Sequence, residues 1–152
     1  MTNQSARVRP RPDPLQFIRD NMHVATVTSL PAIRLYTAHR SSGLSRLANP
    51  DDDSGLPPYW AYQWAGGMVL ARYIFDRPET VAGRRVLDLG AGCGIVGIAA
   101  ALAGAGEVVA ADTDRNAAAA LELNAAMNGV ALTVVGDAGA VCEDDSCAVP
   151  GS

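Results

Sequence analysis

The feature that most constrains this chain is a set of three glycines at alternate positions, Gly90, Gly92 and Gly94. The apolar residues of 85–89 come directly before them and favour a buried parallel strand, and the apolar residues of 95–102 favour a helix. Glycine lets the backbone turn tightly and lets a ligand approach where any side chain would collide. The segment therefore predicts a strand, a tight turn and a helix that together bind a nucleotide-like ligand.

Asp88 lies two residues before the first glycine and narrows the choice of ligand. Its carboxylate places negative charge where dinucleotide enzymes seat a pyrophosphate, which favours a positively charged ligand, S-adenosylmethionine. The segment 92–97 also matches G-x-G-x-x-G, with Asp112 about 20 residues beyond its first glycine, as in a dinucleotide fingerprint. In that fingerprint the first glycine follows the strand directly, and here that position is Gly90, from which the third glycine would fall on Ile95. We therefore expect S-adenosylmethionine, with a nicotinamide or flavin nucleotide and a purely structural turn as alternatives.

Further candidate contacts follow from topology, because ligands of open α/β sheets lie beyond the carboxyl ends of the strands. Asp112 ends the predicted second strand, where its carboxylate can accept both hydroxyls of a ribose; helix capping is the alternative. Asp137 ends the third strand and can accept the adenine amino group, although a turn acid explains it nearly as well. The amides of 93–95 open a helix and can receive the carboxylate of the cofactor. Cys93 itself fits a small packed residue better than a nucleophile, since no histidine is placed to activate it.

Strand and helix patterns alternate through the second half of the chain. We predict strands at 85–89, 108–111 and 132–135, separated by helices at 95–102 and 115–128. Right-handed crossovers then give an α/β fold, the first half of a doubly wound Rossmann-like sheet with strand order 3-2-1.

Composition along the chain indicates four segments. They are a disordered arm at 1–14, an N-terminal appendage and loop at 15–58, a cofactor-binding half domain at 59–137 and an irregular tail at 138–152. The appendage contains a predicted helix over 15–24 and a short strand over 33–36, followed by a loop over 41–58 rich in Ser, Gly, Asp and Pro. A helix over 66–76 precedes the first strand of the half domain.

Overall composition excludes several classes of function. The chain has 152 residues, of which 49% are hydrophobic and 18% charged, as expected for one soluble globular domain. A net charge of −4 gives no reason to bind nucleic acid or an anionic membrane, and no apolar run approaches the roughly 20 residues that span a bilayer. The sequence contains no Lys, which excludes a P-loop lysine and Schiff-base chemistry. The three cysteines lack C-x-x-C spacing, which argues against a metal site or disulfide framework and fits a bacterial cytoplasm.

Several short motifs resemble those of the seven-β-strand protein lysine methyltransferases, which use S-adenosylmethionine. The likeness runs from about residue 17 to residue 137, and its motifs are PYWA at 58–61, WAGG at 64–67, LARYI at 70–74, VLDLGAGCGIVGIAA at 86–100 and DTD at 112–114. The glycine motif is shared by many methyltransferases, whereas the first two motifs are most similar to the electron-transfer flavoprotein β-subunit lysine methyltransferases. One departure is Ala65, where the family typically has proline.

The resemblance implies roles for several residues. It implies that Trp64 borders the cofactor, where an indole face attracts a sulfonium by about 0.5–2 kcal/mol; Trp60 is either a second such residue or plain core. It implies cofactor-binding roles for Gly90, Gly92 and Asp112, with Asp88 shaping the pocket. The implied reaction is attack of a lysine ε-amine on the methyl group of the cofactor, and no residue is identified as catalytic. The implied protein substrate is the electron-transfer flavoprotein β-subunit or, as the near alternative, a ribosomal protein.

The predicted strands are fewer than a complete domain of this family contains. Such a domain has seven strands, whereas this chain offers three, and the fourth-strand motif of the family, an acid followed by an aromatic pair, is missing. The first strand then has an exposed hydrophobic edge. We therefore expect a truncated methyltransferase that is weakly stable or self-associates through this edge, and an inactive cofactor-binding remnant is one alternative to an active enzyme.

Overall fold

The structure is a computed structural model that describes residues 12–47, 57–136, 141–143 and 146–148. Its helices and strands, in chain order, are α1 (Pro14–Asn21), β1 (His23–Val27), β2 (Leu30–Thr37), α2 (Ala65–Asp76), β3 (Arg85–Leu89), α3 (Ile95–Leu102), β4 (Glu107–Ala111), α4 (Arg115–Met127), β5 (Thr133–Val135), β6 (Val141–Glu143) and β7 (Ser146–Ala148). Residues 1–11 of the predicted arm, residues 48–56 of the predicted loop and the candidate ligand Asp137 lie outside the described residues.

The N-terminal appendage begins with α1, for which Asp13 is the N-cap. The Asp13 carboxylate accepts a hydrogen bond from the Gln16 amide (3.0 Å), and Pro14 takes the first helical position, where no amide hydrogen bond is lost. Asp13 and Pro14 therefore form the start of a helix, whereas the sequence analysis predicted that they belong to the disordered arm. The helix ends at Asn21, so the prediction of a helix over 15–24 is wrong for its last residues, which pair in β1 instead.

Strands β1 and β2 form an antiparallel hairpin, with His23 opposite Thr37 and Ala25 opposite Leu35. β2 extends beyond the predicted 33–36 at both ends and includes a proline one residue after its start, a position that proline tolerates in strands. Pairing with β1 accounts for the extra length, and local alternation in the sequence could not show a partner strand.

Strands β3, β4 and β5 form the parallel sheet that the sequence predicts. Their order is β3-β4-β5, with Leu87 opposite Val109 and Val109 opposite Thr133. Helix α3 has the predicted bounds, and α4 ends one residue earlier than predicted. The α/β fold with half of a Rossmann-like sheet and a small N-terminal appendage is thus confirmed.

One face of this sheet carries the helices. On that face a β-carbon added to Gly97 of α3 would lie 3.2 Å from Asp88 Oδ2 and 3.4 Å from Val108 Cγ1. Side chains alternate between faces along a strand, so Leu87 and Leu89 lie on the opposite face, where they are 64% and 79% exposed. The prediction of a fully buried first strand is wrong for these two leucines, because no described helix covers that face.

The appendage and the half domain share their hydrophobic cores. One core joins the β1–β2 hairpin to α2 and α3 through Val27, Leu30, Ile33, Leu35, Ala71, Ile74, Ile95 and Ile98. A second core joins α1 to α4 through Phe17, Ile18, Trp60, Ala117, Ala120 and Leu123. The appendage is therefore packed against the helices that frame the glycine turn.

The last two described strands, β6 and β7, pair antiparallel, with Cys142 opposite Cys147. The sequence predicted an irregular tail here, because three-residue strands are too short for alternation to distinguish them from a loop. Among the described residues no helix has the length and apolar character that crossing a membrane requires.

Candidate cofactor site

The turn between β3 and α3 is built on left-handed backbone. Gly90, Gly92 and Gly94 have φ angles of 70°, 53° and 83°, a region that residues with side chains rarely adopt. The amides of Gly90 and Ala91 both donate to the Ala111 carbonyl, at 2.8 and 3.0 Å. The turn, hereafter the glycine loop (residues 90–94), is thus tied to the end of β4.

Gly94 and Gly90 differ in what surrounds them. A β-carbon added to Gly94 would lie 2.6 Å from Leu121 Cδ2, so Gly94 allows α3 and α4 to pack closely. A β-carbon added to Gly90 would meet nothing within 4 Å. The space beside Gly90 is therefore open, as a binding site at the carboxyl end of the sheet requires.

Asp112 joins the glycine loop to the start of α4. Its Oδ2 accepts a hydrogen bond from the Gly92 amide (2.8 Å), and its Oδ1 accepts one from the Asp114 amide (2.9 Å). A carboxylate offers about four acceptor positions, so each oxygen of this half-buried side chain keeps capacity for a further donor. Asp114 is itself the N-cap of α4, accepting from the Asn116 amide (2.8 Å), so Asp112 is not the cap of that helix.

Asp88 lies under the N-terminus of α3. Its Oδ2 accepts a hydrogen bond from the Gly97 amide (2.8 Å) in the first turn of the helix. Burial raises the pKa of the Asp88 carboxyl; the hydrogen bond from Gly97 opposes this rise, and the charge of Asp112 adds to it. The Asp88 carboxylate thus already meets the positive end of the α3 dipole, which would otherwise attract a phosphate.

Cys93 is buried inside the glycine loop, at 6% exposure. Burial raises the pKa of the Cys93 thiol, which keeps it protonated and poorly nucleophilic. Its carbonyl accepts a hydrogen bond from Asn124 Nδ2 (2.8 Å), a contact that the sequence analysis missed. The available signal was a polar residue within the Ala-rich helix α4, and nothing local showed which way it faces.

Trp64 and Trp60 have different environments. Trp64 is the N-cap residue of α2 and is 51% exposed; its indole N–H donates to the Tyr59 carbonyl (2.9 Å), and its ring centroid lies 5.2 Å from that of Tyr59. Trp60 is 2% exposed and lies in the core, as expected if it is a core residue and not a second cofactor contact. Helix α2 approaches α3 closely at Gly67, where a β-carbon would lie 2.9 Å from Ile95 Cγ2. Trp64 therefore heads a helix that packs beside the glycine loop.

The structure thus brings together most of the predicted site. The glycine loop, Asp88 and Asp112 meet at the carboxyl ends of β3 and β4, and the Asp112 amide donates to the carbonyl of Val135, the last residue of β5 (3.0 Å). The two carboxylates make the site electronegative, which suits a sulfonium better than a diphosphate.

The chain is similar to known methyltransferases. The family model of ribosomal protein L11 methyltransferase (PrmA) matches residues 74–146. A solved ribosomal protein L11 methylase from Lactobacillus delbrueckii subsp. bulgaricus is 32% identical, covering 52% of this chain and 40% of that one, with a TM-score of 0.43. The match to the family model makes the chain similar in sequence to the methyltransferases, as its motifs predicted.

The names of its curated relatives specify a particular kind of methyltransferase. The electron transfer flavoprotein beta subunit lysine methyltransferase of Danio rerio is 44% identical over 118 residues, which are 76% of this chain and 45% of that protein. The protein of the same name from Homo sapiens is 49% identical over 71 residues, which are 47% of this chain and 27% of that protein. The resemblance stated from the sequence is therefore confirmed, and the chain spans less than half the length of these relatives.

Proposed function

We propose that this chain binds S-adenosylmethionine at the glycine loop and forms the cofactor-binding part of a protein-lysine methyltransferase. The observation that carries the proposal is the hydrogen bond from the Gly97 amide to the Asp88 carboxylate. A dinucleotide site seats a pyrophosphate at the helix N-terminus, whereas here the Asp88 carboxylate already accepts from one first-turn amide and its charge repels a diphosphate. A cationic ligand meets no such conflict.

The chain's own residues fit the parts of this cofactor. The remaining acceptor capacity of Asp112 suits the two ribose hydroxyls, and the open space at Gly90 admits the ligand against bare backbone. The exposed indole of Trp64 offers a face for cation–π attraction to the sulfonium. When bound, the cofactor supplies an activated methyl group.

The substrate in this proposal is a lysine of the electron-transfer flavoprotein β-subunit, and its support is the name of the relatives. A lysine with a pKa of about 10.4 is almost fully protonated at neutral pH, so an active enzyme must favour the neutral amine before attack. The exposed rings of Tyr59 and Trp64, tilted at 59° with their centroids 5.2 Å apart, offer an apolar surface that can strip water from the amine. No described residue is assigned as the base.

A ribosomal protein is the alternative substrate, favoured by the match to the L11 methyltransferase family. Incubation with labelled S-adenosylmethionine and an equimolar mixture of both proteins, followed by mass spectrometry of lysine peptides, decides between them. Methylation of the flavoprotein alone supports our proposal, and methylation of the ribosomal protein alone supports the alternative. Binding of the cofactor without transfer to either protein identifies a cofactor-binding remnant and overturns the enzymatic part of the proposal.

Calorimetry with Asp88→Asn tests the choice of cofactor. The wild-type chain should bind S-adenosylmethionine and not NAD, and Asp88→Asn should weaken S-adenosylmethionine about tenfold, or about 1.4 kcal/mol, because asparagine keeps the acceptor for Gly97 and loses the charge. Asp76→Asn is the matched control, since Asp76 is exposed at the end of α2 and pairs with Arg72. Saturable NAD binding by the wild type, without S-adenosylmethionine binding, would overturn the proposal.

We also propose that a second copy of this chain pairs along the free edge of β3. Support comes from the exposure of Leu87 and Leu89 and from the strand order, in which no described strand lies beyond β3. Parallel sheets are normally covered on both faces, and an unpaired apolar strand is a template for association. A symmetric pairing of the two β3 edges would place the leucines of the two copies side by side and reduce their exposure.

A further inference from the structure

Asn124 is a fully buried polar residue in the C-terminal half of α4, and its side chain connects two parts of the molecule. Its Nδ2 donates to the Cys93 carbonyl in the glycine loop (2.8 Å), and its Oδ1 accepts from the Tyr36 amide in β2 (2.9 Å). A buried amide left without partners is costly, so both contacts constrain the groups that they join.

Asn128, the C-cap residue of α4, lies one turn beyond Asn124 and makes a related contact with the same strand. Its Oδ1 accepts from the Arg34 amide (2.9 Å), and its Nδ2 donates to the Arg34 carbonyl (2.7 Å). Four residues of a helix rise about 6 Å, and two residues of a strand rise about 6.8 Å. Because these two distances are similar, the two asparagines can contact residues of β2 that are two apart, Arg34 and Tyr36. Of these two asparagines, only Asn124 also reaches the glycine loop.

We propose that Asn124 is a positioning residue for cofactor binding, which holds the glycine loop in its binding conformation and couples it to the N-terminal hairpin. The inference rests on the proposed function of the loop. Cys93 lies between two left-handed glycines, which have more conformational freedom than other residues, and a fixed carbonyl between them restricts the whole turn. Ordering the loop before the ligand arrives removes an entropic cost from binding.

The variant Asn124→Asp tests the contact to the loop. It keeps an oxygen for the Tyr36 amide and removes the N–H that Cys93 accepts. Asn128→Asp is the matched control, because the same substitution at the C-cap of α4, against the same strand, leaves the contact to the loop in place. By calorimetry we expect S-adenosylmethionine to bind about tenfold more weakly to Asn124→Asp and within about twofold of wild type to Asn128→Asp.

Amide hydrogen exchange of the free proteins gives a second readout, independent of any ligand. The Gly92 and Gly94 amides, which donate to Asp112 and Ala91, should exchange faster in Asn124→Asp, while the Tyr36 amide keeps its wild-type protection. The variant Asn124→Ala introduces no buried charge and removes both contacts, so there the Tyr36 amide should also exchange faster. A general loss of stability would produce no such pattern.

The two readouts separate the inference from the proposed function. Wild-type rates at Gly92 and Gly94 in both Asn124 variants would overturn the positioning role, whatever the ligand does. Equal affinities for S-adenosylmethionine in Asn124→Asp and Asn128→Asp would overturn the link to binding. Faster loop exchange in a protein whose wild type ignores S-adenosylmethionine would support the positioning role and overturn the proposed function instead.

Discussion

Asp88 is the residue on which the proposed choice of cofactor depends. It is at once a helix-capping group and a carboxylate partly removed from water, and these two conditions act on its pKa in opposite directions. Burial outweighs the hydrogen bond, so the folded protein holds the Asp88 proton more tightly than the unfolded chain does. This excess affinity makes stability depend on pH.

We expect the Asp88 contribution to stability to be full below its ordinary pKa of 3.8 and to be lost as pH rises through the raised pKa of the folded state. Asp88→Asn removes this titration and keeps an acceptor for the Gly97 amide. Urea unfolding of both proteins across the acidic pH range measures the Asp88 contribution to the free energy of unfolding. The free energy of unfolding of the wild type relative to the variant should fall with rising pH and then level off. A difference that rises with pH would mean that the capping bond dominates the pKa.

The glycines Gly90 and Gly94 should respond differently to alanine. Both substitutions place a side chain in left-handed backbone, at a cost of about 1–2 kcal/mol, and Gly94→Ala also forces Leu121 to move. Thermal unfolding should therefore show the larger fall in Tm for Gly94→Ala, at roughly 2–4 °C per kcal/mol for a chain of this size. Gly90→Ala should lose more affinity for S-adenosylmethionine than its smaller fall in Tm explains, and an unchanged affinity would place the ligand elsewhere.

Among the helices, the pairing of α2 with α3 decides where Trp64 lies relative to the glycine loop. The adjacent residues Gly66 and Gly67 at the start of α2 differ in their surroundings. A β-carbon at Gly66 meets nothing within 4 Å, whereas one at Gly67 would lie 2.9 Å from a methyl group of the buried Ile95. The closest approach of the two helices thus depends on one glycine of the pair.

We expect Gly66→Ala to leave the free energy of unfolding unchanged or to raise it by up to about 1 kcal/mol, because alanine favours helix over glycine. Gly67→Ala should instead lower it by about 1–3 kcal/mol through overpacking against Ile95. Chemical denaturation of the two variants measures both values. Equal effects of the two substitutions would contradict the close contact between α2 and α3.

Prediction from the sequence succeeded where an element is defined by its own residues. The bounds of α3 follow from a glycine turn at one end and Gly104 near the other, and the strand order follows from the handedness of the crossovers. It failed where the outcome depends on distant partners. Leu87 and Leu89 look buried in any local pattern, and the contacts of Asn124 span 31 and 88 residues of sequence.

The molecule as a whole carries its helices on one face of the sheet, and its association should follow from that arrangement. We expect sedimentation velocity to show concentration-dependent dimers of the wild-type chain and a shift toward monomer for the double variant Leu87→Gln/Leu89→Gln, because both side chains are exposed beside the unpaired edge of β3. Val69→Gln is the control, an apolar residue that is 71% exposed on a helix, α2. A wild type that stays monomeric at the highest soluble concentration would contradict the proposed pairing.

Asn124 of α4 and Asn128 at its C-cap have a consequence for misfolding. A helix whose side chains occupy the amides of Arg34 and Tyr36 blocks the outer edge of β2, so that edge offers no template for stacking into a cross-β fibril. Among the described elements, no strand pairs with the outer edge of β3. Amyloid growth from the native chain would therefore bypass the outer edge of β2 and begin at an uncovered edge such as that of β3.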